Sequence, residues 1–254
     1  MAVESRPVTW GDLRQAVVWH GLLDALATMA SQEGATLGVV DAGGGSGGFA
    51  VPLAERGHRV TVVDPSPDSL ASLDYRAAER GVRHLVTARQ GDLSALPEIV
   101  GVASSDVLLC HTVLEVVDEP ATALATAAAA LRPGGLLSVV AANRHAVVLA
   151  RALAGRFAEA QYALADPRGR CASSDRARRF DVRTLVRMVD DAGADVIAVH
   201  GVRVFADLVP AATVDADPSA AQRLLQLEIA ASSQAPFRDL AAQLHVLARR
   251  RDSR

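Results

Sequence analysis

The stretch Val39-Val40-Asp41-Ala42-Gly43-Gly44-Gly45-Ser46-Gly47-Gly48-Phe49 decides the fold of this chain. An apolar run ends at an acid two residues before a glycine-rich turn, and a helix-like segment follows. A strand that enters such a turn brings backbone N–H groups and a helix N-terminus close to a ligand, and a Cβ would block that approach. Gly43, Gly45 and Gly48 fit the pattern G-x-G-x-x-G, which nicotinamide and S-adenosylmethionine enzymes share. The stretch therefore predicts a cradle for one of these two cofactors.

Outward from this turn, short apolar runs alternate with amphipathic segments. Strands are predicted at residues 37–41, 59–64, 84–88, 106–110 and 136–142. Two further strands, 195–200 and 202–209, are separated by Gly201 alone, so we expect a tight hairpin whose last strand is antiparallel to its neighbour. The pattern predicts an α/β fold with a seven-stranded, doubly wound, mostly parallel sheet of the Rossmann-like type.

The 254 residues, half of them hydrophobic, are enough for one α/β domain with additions. We divide this single predicted domain into five parts. They are an N-terminal helical cap (1–32), a cofactor-binding core (33–142), an arginine-rich insertion on the substrate side (143–180), a last helix with the hairpin strands (181–210) and C-terminal helices (211–254).

Charge and cysteine content exclude several classes of function. The net charge of −3 and the pI of about 6.2 give no global basic field of the kind that drives non-specific nucleic-acid binding. Cys110 and Cys171 fit no metal spacing, so we expect no metal site and no disulfide scaffold. The chain lacks both a signal-peptide start and an apolar run of the ~20 residues needed to span a bilayer. We expect a cytoplasmic protein without a membrane partner.

Acidic residues at the ends of the strands favour S-adenosylmethionine over a nicotinamide. Asp41 precedes the first glycine, Asp64 ends the second strand, and Gly91-Asp92-Leu93 follows the third where an adenine edge would be bound. A Pro-Gly-Gly turn at 133–135 precedes the fifth strand. Each feature also has a structural reading: Asp64 as an ordinary strand-end acid, Asp92 as a helix cap, and Pro-Gly-Gly as a turn.

Three strings carry a closer resemblance: Leu13-Arg14-Gln15-Ala16, His111-Thr112-Val113-Leu114-Glu115 and Gly201-Val202-Arg203-Val204-Phe205. With them, the chain resembles the bacterial tRNA 5-carboxymethoxyuridine methyltransferases, a family of class I S-adenosylmethionine-dependent enzymes. The resemblance implies methylation of the carboxylate of a modified wobble uridine in tRNA. It also implies that a set of residues binds S-adenosyl-L-methionine, and we add Asp41 and Gly45 of the glycine-rich turn to that set. The full set is Arg14, Asp41, Gly43, Gly44, Gly45, Asp64, Asp92, Leu93 and His111.

Methylation of a carboxylate requires no general base, because the oxygen that attacks is already anionic at neutral pH. The enzyme must instead hold an anion, and arginine is suited to this by its forked donors. The candidates for this role are Arg144, His145, Arg178, Arg179 and Arg203. Arg203 is favoured because it lies on the family-like last strand, although a strand arginine that only covers apolar surface has equal weight.

Other acceptors stay open. DNA is one, and a Cys110 thiolate could in principle attack a flipped cytosine, although a strand-end cysteine is usually a small core residue. A small-molecule O- or N-methyltransferase is another, and a non-catalytic cofactor-binding module is a third. The arginine-rich segment 168–179 is either a phosphate-contacting patch or a solvated lid loop.

Overall fold

A computed structural model describes residues 10–33, 36–215, 217 and 219–252. Its strands form one seven-stranded sheet in the order β3-β2-β1-β4-β5-β7-β6. The strands are β1 (Gly38–Ala42), β2 (Arg59–Asp64), β3 (Val86–Gln90), β4 (Ser105–His111), β5 (Leu131–Ala142), β6 (Ala194–Val202) and β7 (Gln243–Arg250).

Helices cover both faces of this sheet. They are α1 (Trp10–Glu33), α2 (Ala50–Glu55), α3 (Pro67–Glu79), α4 (Leu96–Val100), α5 (Pro120–Ala128), α6 (Arg144–Leu153), α7 (Phe157–Ala165), α8 (Val182–Asp191), α9 (Ala211–Asp215), α10 (Ala220–Ser232) and α11 (Ala235–Leu240). One apolar core lies between the sheet and α5 and α8, and a second lies between the sheet and α1, α2 and α3. This arrangement is the doubly wound one that the sequence predicts.

Parallel pairing brings the ends of four strands to one edge. Strand β1 is parallel to β2 and β4, with Ala42 opposite Val63 on one side and Cys110 on the other. Strand β3 is parallel to β2, and Gln90 lies opposite Asp64. The glycine turn, Asp64 and the residues after β3 and β4 therefore meet at the carboxyl edge, where ligands bind in such sheets.

The predicted fold is confirmed, including an antiparallel last strand, but the segment predicted to form that strand is wrong. Residues 202–209 do not form a hairpin partner for β6. The antiparallel strand is β7, which lies between β5 and β6 and is antiparallel to both. The final part of the chain, predicted as helical over 211–254, therefore ends in a strand after α9, α10 and α11.

Local backbone chemistry explains the end of β6. Arg203 has a left-handed φ of +58°, which a strand residue does not adopt. The N–H groups of Val204, Phe205 and Ala206 then donate to the carboxylate of Glu228 on α10 and not to a neighbouring strand. The sequence did not predict β7 as a strand because this segment is buried on both faces. Such a run lacks the alternation of polar and apolar residues that marks a half-exposed strand.

Strand β5 begins earlier than the predicted 136–142, since it already contains the Pro-Gly-Gly turn. Its pairing with β4 shifts register between Ser105 and Val107, so the turn forms an irregular start to the strand. The predicted N-terminal helix is α1, and the helix predicted after the insertion is α8, where Asp181 accepts from the Thr184 N–H at 2.7 Å.

Candidate active site

The glycine turn after β1 packs too closely for side chains at several positions, among them Gly43 and Gly44. Gly43 has φ +73°, and its N–H donates to the Val63 carbonyl at 2.7 Å. A Cβ on Gly43 would lie 2.3 Å from Val113 Cγ2, and one on Gly44 would lie 2.5 Å from Asp41 Oδ2. Glycine is therefore required at both positions by local contacts, and the turn exposes its backbone at the carboxyl edge.

Asp41 is a buried acid directly beneath this turn. Its side chain is 2% exposed, and Oδ2 has no hydrogen-bond partner among the described residues. Burial, followed by repulsion from Asp64, raises the pKa of Asp41 to about 7. An uncompensated carboxylate is costly inside a protein, and a cationic ligand group held by the turn would relieve that cost. The α-ammonium of S-adenosylmethionine is such a group, so the residues present fit this cofactor.

Asp64 braces the glycine turn from the end of β2. Its Oδ2 accepts from the Gly45 N–H at 3.0 Å, and its Oδ1 accepts from the Ser66 N–H at 2.9 Å. Each carboxylate oxygen can accept more than one hydrogen bond, so Asp64 retains capacity for ribose hydroxyls. The acid therefore has a structural role in the turn as well as the capacity to bind a ligand.

Asp92 and Leu93 follow β3. Asp92 Oδ1 accepts from the Ser94 and Ala95 N–H groups and from the Ser94 hydroxyl, which lowers the pKa of Asp92. The cap reading of Asp92 is thus correct, and it leaves Oδ2 for a ligand. Asp92 also lines a cavity of about 380 Å³ together with Val117, and Leu93 is buried.

Another cavity, which we name the His111 cavity, opens between α1 and the ends of β4, β5 and β7. Its volume is about 280 Å³. Residues on its wall include Arg14, Phe49, His111, Thr112, Arg203 and Gln243. His111 contacts the Phe49 ring edge-on and is bonded through Nε2 to the Ser138 hydroxyl at 2.8 Å. Burial lowers the pKa of His111 to about 3, so its ring is neutral and is a poor general base.

A second cavity, the α6 cavity, adjoins the first. Its volume is about 230 Å³, and its wall includes Asn143, Ala146, Val147, Arg179, Asp207 and Leu240. Arg203 lines both this cavity and the His111 cavity. Arg203 Nε lies 3.2 Å from Asp207 Oδ2, and Nε has no well-aligned hydrogen bond to any described residue. Arg203 therefore lies between the two cavities, and its guanidinium has N–H groups available for an anion.

The loop that begins at Arg203 is fixed by a buried acid, Glu228, that was not among the residues predicted from the sequence. Glu228 is completely buried, and its carboxylate accepts the N–H groups of Val204, Phe205 and Ala206 at 2.7–2.8 Å. These three bonds fix the loop that begins at the left-handed Arg203. Strained backbone of this kind persists where the surroundings determine it and is concentrated at functional sites. Sequence spacing alone gave no signal, because Glu228 lies in a helix 25 residues away.

Arg144 and His145, two of the other candidates for anion binding, are engaged elsewhere. The Arg144 guanidinium donates to the carbonyls of Leu164 and Asp166, and His145 Nδ1 lies 3.1 Å from the Asp239 carbonyl. Neither residue lines the His111 cavity or the α6 cavity. The structure thus brings Arg203 to the two cavities and leaves this pair outside them. Their neighbour Asn143 does line the α6 cavity and caps α6.

Most cations of the arginine-rich segment have partners within the insertion and its surroundings. Arg170 pairs with Asp166, Arg179 pairs with Asp175, and Arg178 donates to the Asp118 carbonyl. Arg168 and Arg176 are exposed. The segment is therefore tied to its own carboxylates, which leaves two exposed cations for contact with an anionic partner.

The alternative of a Cys110 nucleophile loses support at this site. Cys110 is fully buried in β4, and burial raises the pKa of its thiol, so a thiolate nucleophile is disfavoured there. Within the described ranges, no three histidine, cysteine or acidic side chains form a group that could bind a metal ion. In the same part of the chain, no helix is both long and apolar enough to cross a bilayer.

Comparison with known proteins agrees with this geometry. A family model for a methyltransferase domain matches residues 40–139. The tRNA 5-carboxymethoxyuridine methyltransferase of Escherichia coli (strain K12) is 34% identical over 97% of this chain and 91% of its own length. A ubiquinone biosynthesis O-methyltransferase of Methylobacterium sp. (strain 4-46) is 32% identical over 77% of this chain and 74% of its own.

Solved structures agree on the fold. An S-adenosylmethionine-dependent methyltransferase from Mesorhizobium loti superposes with a TM-score of 0.62 at 24% identity, over 94% of this chain and 100% of the other. The prediction of S-adenosyl-L-methionine as cofactor is confirmed by these relatives. The chain is a class I S-adenosylmethionine-dependent methyltransferase and belongs to the family of the bacterial tRNA 5-carboxymethoxyuridine methyltransferases.

Proposed function

We propose that this enzyme methylates a carboxylate on a modified wobble uridine of tRNA. The observation that carries the proposal is the position of Arg203, which lines both the His111 cavity and the α6 cavity. A carboxylate acceptor held there would receive charge-assisted hydrogen bonds at the junction of the two spaces. The near full-length similarity to a relative named for this tRNA modification supports the choice of acceptor. A tRNA substrate would also place the enzyme in the cytoplasm.

In this proposal, the residues of the carboxyl edge bind the cofactor. S-adenosylmethionine supplies an electrophilic methyl group on its sulfonium. Asp41 and the Gly44 N–H hold the methionine end, in a turn whose shape depends on Gly43 and Gly45, and the Arg14 guanidinium donates to the carboxylate of the cofactor. Asp64 accepts from the ribose hydroxyls, while Asp92 and the Leu93 N–H bind the adenine edge. His111 closes the wall of the cavity between cofactor and acceptor.

The electrostatics of the cavity walls favour an acceptor that is already anionic. His111 is the histidine on the walls of the two cavities, and its low pKa together with its bond to Ser138 makes it a poor base. Methylation of a carboxylate requires alignment and exclusion of water but no removal of a proton. Arg203 provides the alignment, and the apolar residues Ala146, Val147 and Leu240 form part of the wall of the α6 cavity.

The test uses a chemical property of the expected product. The enzyme is incubated with methyl-labelled S-adenosylmethionine and tRNA from cells that lack the gene, and the nucleosides are analysed by mass spectrometry. A carboxyl methyl ester is hydrolysed by mild alkali, whereas methyl groups on a base nitrogen, a base carbon or a ribose hydroxyl are not. Label in an alkali-labile wobble nucleoside supports the proposal. Alkali-stable label, or none in tRNA, contradicts it.

A second candidate is O-methylation of a small molecule, which the similarity to a ubiquinone biosynthesis O-methyltransferase favours. A phenolic acceptor requires loss of its hydroxyl proton during transfer, and such a reaction benefits from a base of pKa near neutrality. His111 does not meet this requirement. Parallel assays with a metabolite extract and with DNA, using the same labelled cofactor, separate these acceptors from tRNA.

A further inference from the structure

A hydrogen-bonded chain of side chains runs from the His111 cavity into the sheet. His111 Nε2 lies 2.8 Å from Ser138 Oγ on β5, and Ser138 Oγ lies 2.9 Å from His245 Nε2 on β7. Ser138 and His245 are completely buried. Apolar residues would fill such core positions without the desolvation of polar groups, so polar groups retained there call for an explanation.

Both histidines of this chain are neutral. Burial lowers the pKa of His111 to about 3 and the pKa of His245 well below its usual range, where the neighbouring His111 and His200 lower it further. A neutral imidazole carries one N–H, and its other nitrogen is an acceptor. Each ring is therefore either the Nδ1–H tautomer or the Nε2–H tautomer.

The serine between the rings links these two choices. A hydroxyl has one hydrogen and can accept two hydrogen bonds, and the two rings are the side-chain partners of Ser138 Oγ among the described residues. If Ser138 accepted from both rings, its own buried hydrogen would have no acceptor, so Ser138 donates to one Nε2 and accepts from the other. The ring that receives the serine proton carries its own proton on Nδ1, and the ring that donates to the serine carries it on Nε2. Two arrangements are possible, and in each of them the tautomers of His111 and His245 are opposite.

The position of the cavity decides between the two arrangements. Nδ1 of His111 and Nδ1 of His245 are both buried without a hydrogen-bond partner among the described residues. A buried N–H without an acceptor is more costly than an acceptor without a donor, so the N–H belongs on the ring that can gain an acceptor. His111 lines the His111 cavity, where a ligand can supply one, whereas His245 is completely buried and lies against α1, where a Cβ on Gly21 would be 3.5 Å from its Cε1. His245 is therefore the Nε2–H tautomer. Ser138 then donates to His111 Nε2, which leaves the His111 proton on Nδ1.

We propose that Ser138 and His245 are positioning residues that hold His111 as the Nδ1–H tautomer, a fixed donor to an oxygen atom of the ligand in the His111 cavity. His111 Nδ1 is the nitrogen of that ring without a partner among the described residues. The ligand oxygen is a carboxylate or hydroxyl oxygen, because a neutral N–H donor suits either. The inference rests on the proposed function only in that a ligand occupies this cavity.

Nitrogen NMR of the histidine-labelled enzyme tests the tautomers, since protonated and unprotonated ring nitrogens have distinct chemical shifts. The wild-type enzyme, with and without S-adenosylhomocysteine, is expected to show His111 with Nδ1–H and His245 with Nε2–H. The His111→Asn variant assigns the signals. Finding His111 with its proton on Nε2 overturns the inference, and this reading needs no folded Ser138 variant.

Ser138→Ala tests the coupling. The variant removes the link, so both rings are expected to show mixed tautomers, and S-adenosylhomocysteine is expected to bind about fivefold to tenfold more weakly, as for the loss of one oriented hydrogen bond. Ser105→Ala is the matched control, because Ser105 is a buried serine on β4 whose hydroxyl donates to the Ala130 carbonyl. Unchanged tautomers in Ser138→Ala overturn the coupling, and unchanged affinity overturns the ligand role. Neither readout requires an acceptor, so failure to methylate tRNA would leave this inference standing.

Discussion

The carboxylate of Asp41 lies directly beneath Gly44, so closely that a Cβ on Gly44 would be 2.5 Å from Asp41 Oδ2. The two residues depend on each other. Because Gly44 has no side chain, the Asp41 carboxyl group fits beneath the turn, and the atoms nearest to a Cβ at that position belong to this buried acid. This relationship ties the sequence pattern to the cofactor through a specific contact. It also makes the turn sensitive to a single methyl group.

Gly44→Ala should weaken both folding and cofactor binding. The added methyl must displace the buried Asp41 side chain, which costs about 1–3 kcal/mol of unfolding free energy. Gly48→Ala is the control, since a Cβ there meets nothing within 4 Å. Calorimetric titration with S-adenosylhomocysteine and thermal unfolding of both variants check the effect. Equal affinities for the two variants would show that the Gly44 contact is irrelevant to binding.

Asp41→Asn should stabilise the cofactor-free enzyme at neutral pH while it impairs cofactor binding. The pKa of Asp41 is raised to about 7 in the folded protein, so above its ordinary value of 3.8 the unfolded state loses a proton that the folded state keeps. The contribution of Asp41 to stability therefore decreases as pH rises, by about 1.4 kcal/mol per unit, until the folded pKa is reached.

The matching measurement is urea unfolding of wild type and Asp41→Asn between about pH 4 and pH 8, the window set by the two pKa values. The free energy of unfolding of the variant should rise relative to that of the wild type as pH rises. Near pH 4 the difference between the two free energies should disappear. A constant difference across this range would mean that the Asp41 pKa is not raised.

Arg203→Leu should abolish most turnover and leave cofactor affinity unchanged. Loss of one member of a charge-paired contact costs about 3 kcal/mol, which corresponds to about a 100-fold lower kcat/KM for an anionic acceptor. The left-handed backbone is equally strained with leucine, so stability should change little. Steady-state kinetics and calorimetry check this, with the exposed Arg187→Leu on α8 as control. Wild-type turnover in Arg203→Leu would remove Arg203 from the mechanism.

Glu228→Gln should destabilise the loop that carries Arg203. The carboxylate accepts three N–H groups, whereas a carboxamide turns its own NH2 toward at least one of these donors. One buried donor then lacks a partner, which costs about 1–3 kcal/mol. Urea unfolding measures the loss, and kcat should fall more than cofactor affinity. Gln226→Ala, at an exposed position of the same helix, should have no such effect.

Cys110→Ala should retain methyl transfer. The thiol is buried in β4, and its raised pKa keeps it protonated, so it cannot be the nucleophile of a covalent mechanism. Single-turnover assays on tRNA and on DNA check this. Selective loss of DNA methylation in a variant that still binds S-adenosylhomocysteine would restore the cytosine mechanism.

Some parts of the structure could be predicted from the sequence and others could not. The glycine turn, Asp41 and the strand-end acids could be predicted because they depend on neighbours close in sequence: a parallel βα unit requires glycine after its strand and leaves polar groups at the carboxyl edge. The last strand, 243–250, could not be predicted. It lies between two other strands, and its residues 244–248 are all buried, so the sequence lacks the alternation of polar and apolar residues that marks a half-exposed strand.

The sequence by itself determined the doubly wound sheet, the cofactor cradle and the candidate role of Arg203, since each is written in local patterns of apolar runs, glycines and charges. Only the tertiary structure decided that Arg203 lies between two cavities, that Glu228 holds its loop, and that Ser138 links His111 to His245. The hydrogen bonds of Glu228 and Ser138 join residues that are 22 to 107 positions apart. Long-range partners are chosen by how strands and helices pack, and no short window of sequence contains that choice.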